Sequence, residues 1–228
     1  MKSNISASLM CADLLALGDQ IRLLESCGID YLHLDIMDSV FVPNITFGID
    51  TVNTIKKNTS LPLDIHLLVD KPSRILRSLE YGKGDYVTIH AECTERIMEN
   101  VAFIKQRGAK FGLALNPDTT IEEVAKYLPY IDMITIMLIV PGFAGSTLIH
   151  GIMEKVRQTR IFLDNHGYND IIIEVDGSVN MERAGVLLEY GASMFVCGTA
   201  SIFKNDGNLK KNIELFRNVI CNKSYDSD

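Results

Sequence analysis

No Cys-x-x-Cys pair occurs in this 228-residue sequence, and its five cysteines (Cys11, Cys27, Cys93, Cys197, Cys221) are scattered and odd in number. That pattern suggests neither a disulfide framework nor a cysteine zinc site; reduced, buried thiols are the expectation. Basic residues are also in short supply, with 22 Lys and Arg against 29 Asp and Glu and a net charge of -7. A general nucleic-acid binder needs basic surface to meet phosphate, so this balance argues against one. It leaves room for a small anion held in a local pocket. No apolar run is long enough to span a membrane. Met1-Lys-Ser-Asn leads straight into a strand-like segment, without space for a secretory signal. A cytoplasmic protein with no membrane partner is expected. The first strand-like segment is not followed by Gly-x-Gly-x-x-Gly, which disfavours a doubly wound dinucleotide-binding sheet. No Ser/Gly-rich linker or charge block divides the chain. One domain over 1–221 is therefore expected, with a frayed polar tail over 222–228.

What is present is alternation. Strand-like runs fall at Asn4–Leu9, Tyr31–Ile36, Pro62–Leu68, Tyr86–Ile89, Lys110–Leu115, Met133–Met137, Ile171–Val175 and Met194–Cys197. Helical periodicity lies between them, as in Leu14–Cys27, Glu95–Arg107, Ile121–Leu128, Ile149–Leu163 and Leu209–Ile220. Several strands are nearly all apolar, as parallel strands covered on both faces must be. Strand and helix repeated eight times in this length predict a (β/α)8 TIM barrel. Pro43, Pro62, Pro72, Pro117, Pro129 and Pro141 are all expected at element edges or in loops.

Certain residues contradict their apolar surroundings. In Tyr31-Leu-His-Leu-Asp-Ile-Met-Asp38, His33 and Asp35 are two apart and so share one face of a strand. Groups of this kind are destabilised among leucines unless paired or bound to a metal. His66 repeats the pattern on the third strand, and Asp176 ends the seventh. For any one of these positions a satisfied structural role is the commoner outcome. Four of them at the carboxyl ends of barrel strands, where barrel active sites lie, favour a site. Two imidazoles and two carboxylates suit Zn²⁺, Mn²⁺ or Fe²⁺, with Mg²⁺ or Co²⁺ as further alternatives. Asp64, two residues before His66, is placed one layer deeper, either orienting a ligand or serving as a satisfied structural carboxylate. His90 is placed near the pocket, His150 and His166 at the surface, and no functional case arises for Glu92 or Glu174. Glycine loops follow the last three strands: Pro141-Gly-Phe-Ala-Gly145, Asp176-Gly-Ser178 and Gly198-Thr-Ala200. Their backbone N–H groups can approach an anion closely, at the place where barrels often hold phosphate. Metal plus phosphate on a barrel fits proton abstraction beside a carbonyl, with two carboxylates serving opposite faces of one carbon. Hydrolysis or an aldol reaction also fits.

Ser6-Ala-Ser-Leu-Met10, His33-Leu-Asp-Ile-Met-Asp38, Phe41-Val-Pro-Asn-Ile-Thr-Phe-Gly48, Asp64-Ile-His66, Pro141-Gly-Phe-Ala-Gly145, Glu174-Val-Asp-Gly177 and Gly198-Thr199 together resemble the ribulose-phosphate 3-epimerase family, in order from about Ile5 to Ile220. Ser8-Leu-Met-Cys11, Leu115-Asn-Pro-Asp118, Ala144, Asp176-Gly-Ser178 and Gly198-Thr199 look more like its D-allulose-6-phosphate 3-epimerase branch. The resemblance implies a ribulose-phosphate-binding type of barrel, acting as a homo-oligomer on a phosphorylated ketose. It implies metal ligands at His33, Asp35, His66 and Asp176, with Asp35 as general base and Asp176 as general acid. Ser8 and His66 would contact the sugar. Gly142, Phe143, Ala144, Gly145, Gly177, Ser178, Gly198 and Thr199 would hold the phosphate end, and Met37 and Met137 would sit over the metal. The expected reaction is C3 epimerisation of D-allulose 6-phosphate to D-fructose 6-phosphate, the alternative being D-ribulose 5-phosphate to D-xylulose 5-phosphate. Departures from the family pattern occur at Ser39-Val40, Leu68, Leu138-Ile-Val140 and Ser146, none of them a proposed ligand. A decarboxylase of the orotidine-phosphate type would need Asp-x-Lys-x-x-Asp, which is not found. A non-catalytic sugar-phosphate binder is the reading from outside enzymology.

Overall fold

A computed structural model describes residues 2–93 and 95–222. Its strands are β1 (Asn4–Ser8), β2 (Tyr31–Met37), β3 (Leu63–Leu68), β4 (Tyr86–His90), β5 (Lys110–Leu115), β6 (Met133–Met137), β7 (Ile172–Asp176) and β8 (Met194–Cys197). All pair in parallel in sequence order, and β8 closes back onto β1. The helices between them are α1 (Leu17–Ser26), α2 (Ile49–Asn58), α3 (Ser73–Leu76), α4 (Ile97–Gln106), α5 (Ile121–Val124), α6 (Ile152–Asn165), α7 (Met181–Glu189) and α8 (Leu209–Asn222). This is the predicted (β/α)8 barrel, with each expected strand found to within a residue at either end. The expected tail lies, from residue 223 onward, outside the described residues.

Alternation along the strands sorts their side chains into two sets. Residues such as Leu32, Leu34, Ile65, Leu67, Ile134 and Val175 point outward and are buried in one continuous apolar layer beneath the helices. Their neighbours fill the barrel interior in tiers, which the register aligns. The lowest tier is an apolar plug of Tyr86, Met133 and Met194, with Tyr31 and Ile172 against it. Above it, the middle tier is polar: Ser6, His33, Asp64, Thr88, Thr135 and Glu174 are all fully buried. Most barrel interiors carry bulky aliphatic residues there. Such a tier is tolerable only if its members satisfy one another. The narrowness of the interior shows at Gly112, beside Thr88. A Cβ there would lie 3.0 Å from Thr88 Cβ, with the hydroxyl closer still.

Two local expectations need correction. The segment Ile121–Leu128 is not one α-helix, because α5 gives way after Val124 to a 3-10 helix over Ala125–Tyr130. Pro129 lies inside that 3-10 helix rather than at an edge or in a loop. A proline ring clashes with the carbonyl four residues earlier, here on Ala125, so the α-helical pattern stops where the tighter turns begin. Leu14–Ala16 is likewise a separate 3-10 turn, capped by Asp13, which shortens the expected first helix to α1.

Candidate active site

β2, β3 and β7 carry the four expected ligands to one place. Single donor atoms from His33, Asp35, His66 and Asp176 all lie within 4.8 Å of one another. His33 Nε2 is 3.1 Å from Asp35 Oδ1 and 3.8 Å from Asp176 Oδ2, while His66 Nδ1 is 3.1 Å and 3.5 Å from the same two atoms. Both imidazoles are completely buried and Asp35 is 7 % exposed, so water does little to screen these charges. Burial opposes ionisation of Asp35, but His33 and His66 beside it hold the carboxyl well below the usual range. Burial likewise opposes protonation of His33, but Asp35 and Asp64 outweigh it and raise its affinity for a proton well above normal. His66 is raised too, by Asp176 and Asp35 acting against its burial. Carboxylate oxygens and ring nitrogens thus converge on a point that demands positive charge, met by a proton or by a cation. Two nitrogen and two oxygen donors suit a divalent transition ion.

The middle tier supports this cluster from below. His33 Nδ1 lies 2.6 Å from Asp64 Oδ2. A carboxylate only accepts, so Nδ1–H donates and Nε2 is left facing Asp35. Carboxylates behind metal-ligating histidines characteristically orient them in this way. Asp64 Oδ2 also accepts from Ser6 Oγ at 2.8 Å, and Thr135 Oγ1 donates to Glu174 Oε2 at 2.6 Å. Burial first, and the Asp64 carboxylate second, push Glu174 well above the ordinary range. Asp64 Oδ1 and Glu174 Oε1 are otherwise buried without partners. A proton on Glu174 Oε1 donated to Asp64 Oδ1 satisfies both. The sequence offered no functional case for Glu174, yet it shares in the support of His33. Only the barrel's closure reveals this, since 110 positions separate it from Asp64 along the chain.

Over the cluster opens a cavity of about 210 Å³. Ser8, Met37 and Met137 line it, as do Gly142, Phe143, Ala144, Gly145, Gly177, Ser178, Gly198 and Thr199, all of them expected there. Ser8 Oγ is 3.5 Å from Asp35 Oδ2. Met10, Cys11, Leu68, Ile139 and Val196 also line the wall and were not singled out as site residues in the sequence. No Lys or Arg does so among the described residues, leaving backbone N–H groups of the glycine loops to meet an anion. Ser178 takes a left-handed backbone conformation, φ 53°. Arg183 on α7 fastens that turn, donating to Ser178 O at 2.5 Å and to its Oγ at 2.6 Å.

The chain matches the ribulose-phosphate 3 epimerase family over residues 4–203. It belongs to that family. The ribulose-phosphate 3-epimerase of Bacillus subtilis is 36 % identical over 202 residues, covering 89 % of this chain and 93 % of its own. The Escherichia coli enzyme of the same name is 32 % identical, covering 97 % of this chain and 98 % of its own. Among solved structures, KGPDC from Streptococcus mutans superposes with a TM-score of 0.68 at 12 % identity, covering 96 % of this chain and 98 % of its own. Phosphoribosyl anthranilate isomerase from Thermococcus kodakaraensis does so with a TM-score of 0.65 at 12 % identity, over 96 % and 99 % of the two chains. At that identity the likeness speaks for the fold alone. As a member of an epimerase family, the chain is an isomerase.

The cluster of donors does not end at His66. Its Nε2 lies 2.9 Å from His90 Nε2, and His90 Nδ1 lies 3.2 Å from Glu92 Oε2. His90 is fully buried behind His66 rather than lining the cavity. Burial is the main cause that lowers its pKa to about 4, so it is neutral near pH 7. Burial opposes the charge on Glu92, but His90, Thr119 and the Asn116 N–H bring it down to about 2. Glu92, like Glu174, had no functional case in the sequence. His150 and His166 are exposed, as expected. The departures at Val40 and Val140 are 74 % and 68 % exposed, near the start of the loops after β2 and β6.

Proposed function

We propose that this chain epimerises C3 of D-ribulose 5-phosphate, interconverting it with D-xylulose 5-phosphate. The observation that carries the reading is the pair Asp35 and Asp176, brought together from β2 and β7 with His33 and His66 beneath a cavity walled by glycine loops. The choice of sugar follows the relatives, which carry the ribulose-phosphate name at up to 36 % identity. The expectation of D-allulose 6-phosphate finds no support among them.

Asp35, kept ionised by its two histidines, would take the proton from C3 on one face. Asp176 would return a proton to the other face, and the two would exchange roles in the reverse direction. His33, Asp35, His66 and Asp176 would hold the divalent cation. A cation bound there supplies Lewis acidity to polarise the C2 carbonyl and spread the charge that builds on its oxygen. Ser8 would contact the sugar hydroxyls, while His66, completely buried and not part of the cavity lining, would serve the cation rather than the sugar. Met37 and Met137 would exclude water from the carbanion-like carbon. Backbone N–H groups of Gly142–Gly145, Gly177, Ser178, Gly198 and Thr199 would bind phosphate. Zn²⁺, Mn²⁺ and Fe²⁺ suit the nitrogen-oxygen set, and Mg²⁺ or Co²⁺ can substitute.

Self-association is part of the proposal, supported by Leu14 and Leu15, which are 62 % and 100 % exposed. A cytoplasmic setting is supported by the free thiols Cys11, Cys27, Cys93 and Cys197. No helix among the described residues is long and apolar enough to cross a membrane. Side-by-side kcat/KM on the two sugars with metal supplied tests the function. Ribulose 5-phosphate should be the better substrate; preference for allulose 6-phosphate would overturn the choice of sugar, and turnover of neither would favour a non-catalytic binder.

A further inference from the structure

The line of groups behind His66 permits a complete accounting of protons. Glu92 Oε1 accepts from Asn116 N–H at 2.9 Å and from the Thr119 hydroxyl. Its other oxygen, Oε2, faces His90 Nδ1 at 3.2 Å. A carboxylate cannot donate, so His90 must carry its hydrogen on Nδ1. With a cation on His66 Nδ1, the single hydrogen between the two rings belongs to His66, which leaves His90 Nε2 bare. That nitrogen lies 2.9 Å from His66 Nε2 and must accept from it. His66 therefore carries a hydrogen on Nε2, and Nδ1 is the nitrogen left toward Asp35 and Asp176, 3.1 Å and 3.5 Å away, where it holds a second proton in the metal-free chain and gives its lone pair to a cation when one binds. Each step compels the next. His33 is oriented by a carboxylate directly, through Asp64; His66 is oriented at one remove, through a second histidine.

We propose that Glu92 and His90 are positioning residues of the metal centre, with the Glu92 carboxylate setting the tautomer of His66 through His90 so that Nδ1 is presented to the cation. The assignment rests on the metal-site reading above. Neither residue lines the cavity. Thr119 and the Asn116 backbone in turn fix which Glu92 oxygen points inward, so the β5–α5 loop reaches the metal through four groups.

The direction of the chain makes a prediction opposite to that of simple packing. In Glu92→Gln the amide oxygen will stay with its two donors, Asn116 N–H and Thr119 O–H. The amide NH₂ then meets His90 Nδ1 and donates to it. His90 must move its hydrogen to Nε2, and His66 must move its own to Nδ1, where it blocks the cation. Glu92→Ala leaves His90 free to adopt either tautomer. Hence E92Q, the isosteric change, should weaken metal binding more than E92A, which deletes the whole group. Loss of support behind a metal ligand typically lowers affinity 10–100-fold.

The test is titration of the full-length, metal-stripped protein with Co²⁺, followed by its visible absorption bands, for wild type, E92Q, E92A and E92D. The Kd should rise 10–100-fold in E92Q, by less in E92A, and least in E92D, which keeps the carboxylate. Equal affinities in E92Q and wild type, or weaker binding by E92A than by E92Q, would overturn the assignment. A wild type that takes up no Co²⁺ would contradict the metal-site reading itself and the assignment with it. A second measurement needs no variant: two-bond ¹H–¹⁵N spectra of the Zn²⁺-loaded wild type should show His90 protonated at Nδ1 and bare at Nε2. The opposite tautomer overturns the proposal.

Discussion

Gly177 follows Asp176 immediately, and its backbone has φ 104°, a region that L side chains rarely adopt. A Cβ added there would lie 2.9 Å from Ile139 Cδ1 and 3.1 Å from its Cγ2, with Cγ1 closer still. Ile139 is buried in the cavity wall and cannot swing into solvent. Gly177→Ala therefore combines two costs. Holding a non-glycine residue at such a φ costs about 1–3 kcal/mol, and overpacking a filled wall costs a further ~1–3 kcal/mol. The sum, roughly 2–6 kcal/mol, is a large share of the ~5–15 kcal/mol that typically separates folded from unfolded chains. For a chain of this size, that lowers Tm by roughly 4–24 °C. Urea denaturation of the metal-loaded protein measures it. The two parts separate in a double-mutant cycle, because Ile139→Ala removes the colliding atoms and leaves the backbone strain. The two substitutions should couple favourably by about 1–3 kcal/mol. A G177A protein as stable as wild type, or strict additivity with I139A, would refute the reasoning.

Further consequences follow from the buried polar tier. Asp64→Asn removes the negative charge behind His33 and puts an NH₂ donor in place of one carboxylate oxygen, and Co²⁺ affinity should fall about 10–100-fold; unchanged affinity would show that Asp64 is only a packing residue. Metal uptake should depend on pH with a definite sign. His33 and His66 bind protons in the metal-free chain more tightly than an ordinary imidazole of pKa 6.5. A cation must displace those protons, so its affinity should rise with pH from 5.5 to 8.5, up to about tenfold per pH unit for each proton released. Conversely, the raised histidines stabilise the metal-free fold fully below pH 6.5, and this contribution fades as pH rises through their higher values. Chemical denaturation of metal-free protein across that range checks the trend, and a metal affinity that falls with pH would contradict it.

The period of two on apolar strands was enough to place His33, Asp35, His66 and Asp176 together, because a strand admits only two directions for a side chain. The same rule put Asp64 a tier below His66. It could not pair Asp64 with Glu174, since β3 and β7 are not neighbours and meet only across the closed barrel. Nor could it link His90 to Glu92: the two are recognisable as polar residues at a strand end, but their hydrogen bond is useful only because β4 lies beside β3. Loop residues were legible where glycine announced them. Ile139 and Leu68 came to notice only through the resemblance, as departures around the mouth and near the metal, because an aliphatic residue at the end of a strand reads by itself as core wherever it points. Pro129 was misplaced because a 3-10 turn has no periodicity long enough to stand out from the α-helix it continues. Substrate choice proved least legible, resting on small loop residues that do not by themselves measure a sugar's length.

The central claim is that Asp35 and Asp176 move protons on opposite faces of C3. Incubating the metal-loaded protein with D-ribulose 5-phosphate in D₂O, and following the reaction by ¹H NMR, tests it most directly. D-xylulose 5-phosphate should form carrying solvent deuterium at C3, with formation abolished in both Asp35→Asn and Asp176→Asn. Product that retains its original C3 hydrogen, or appreciable epimerisation by either variant, would contradict it.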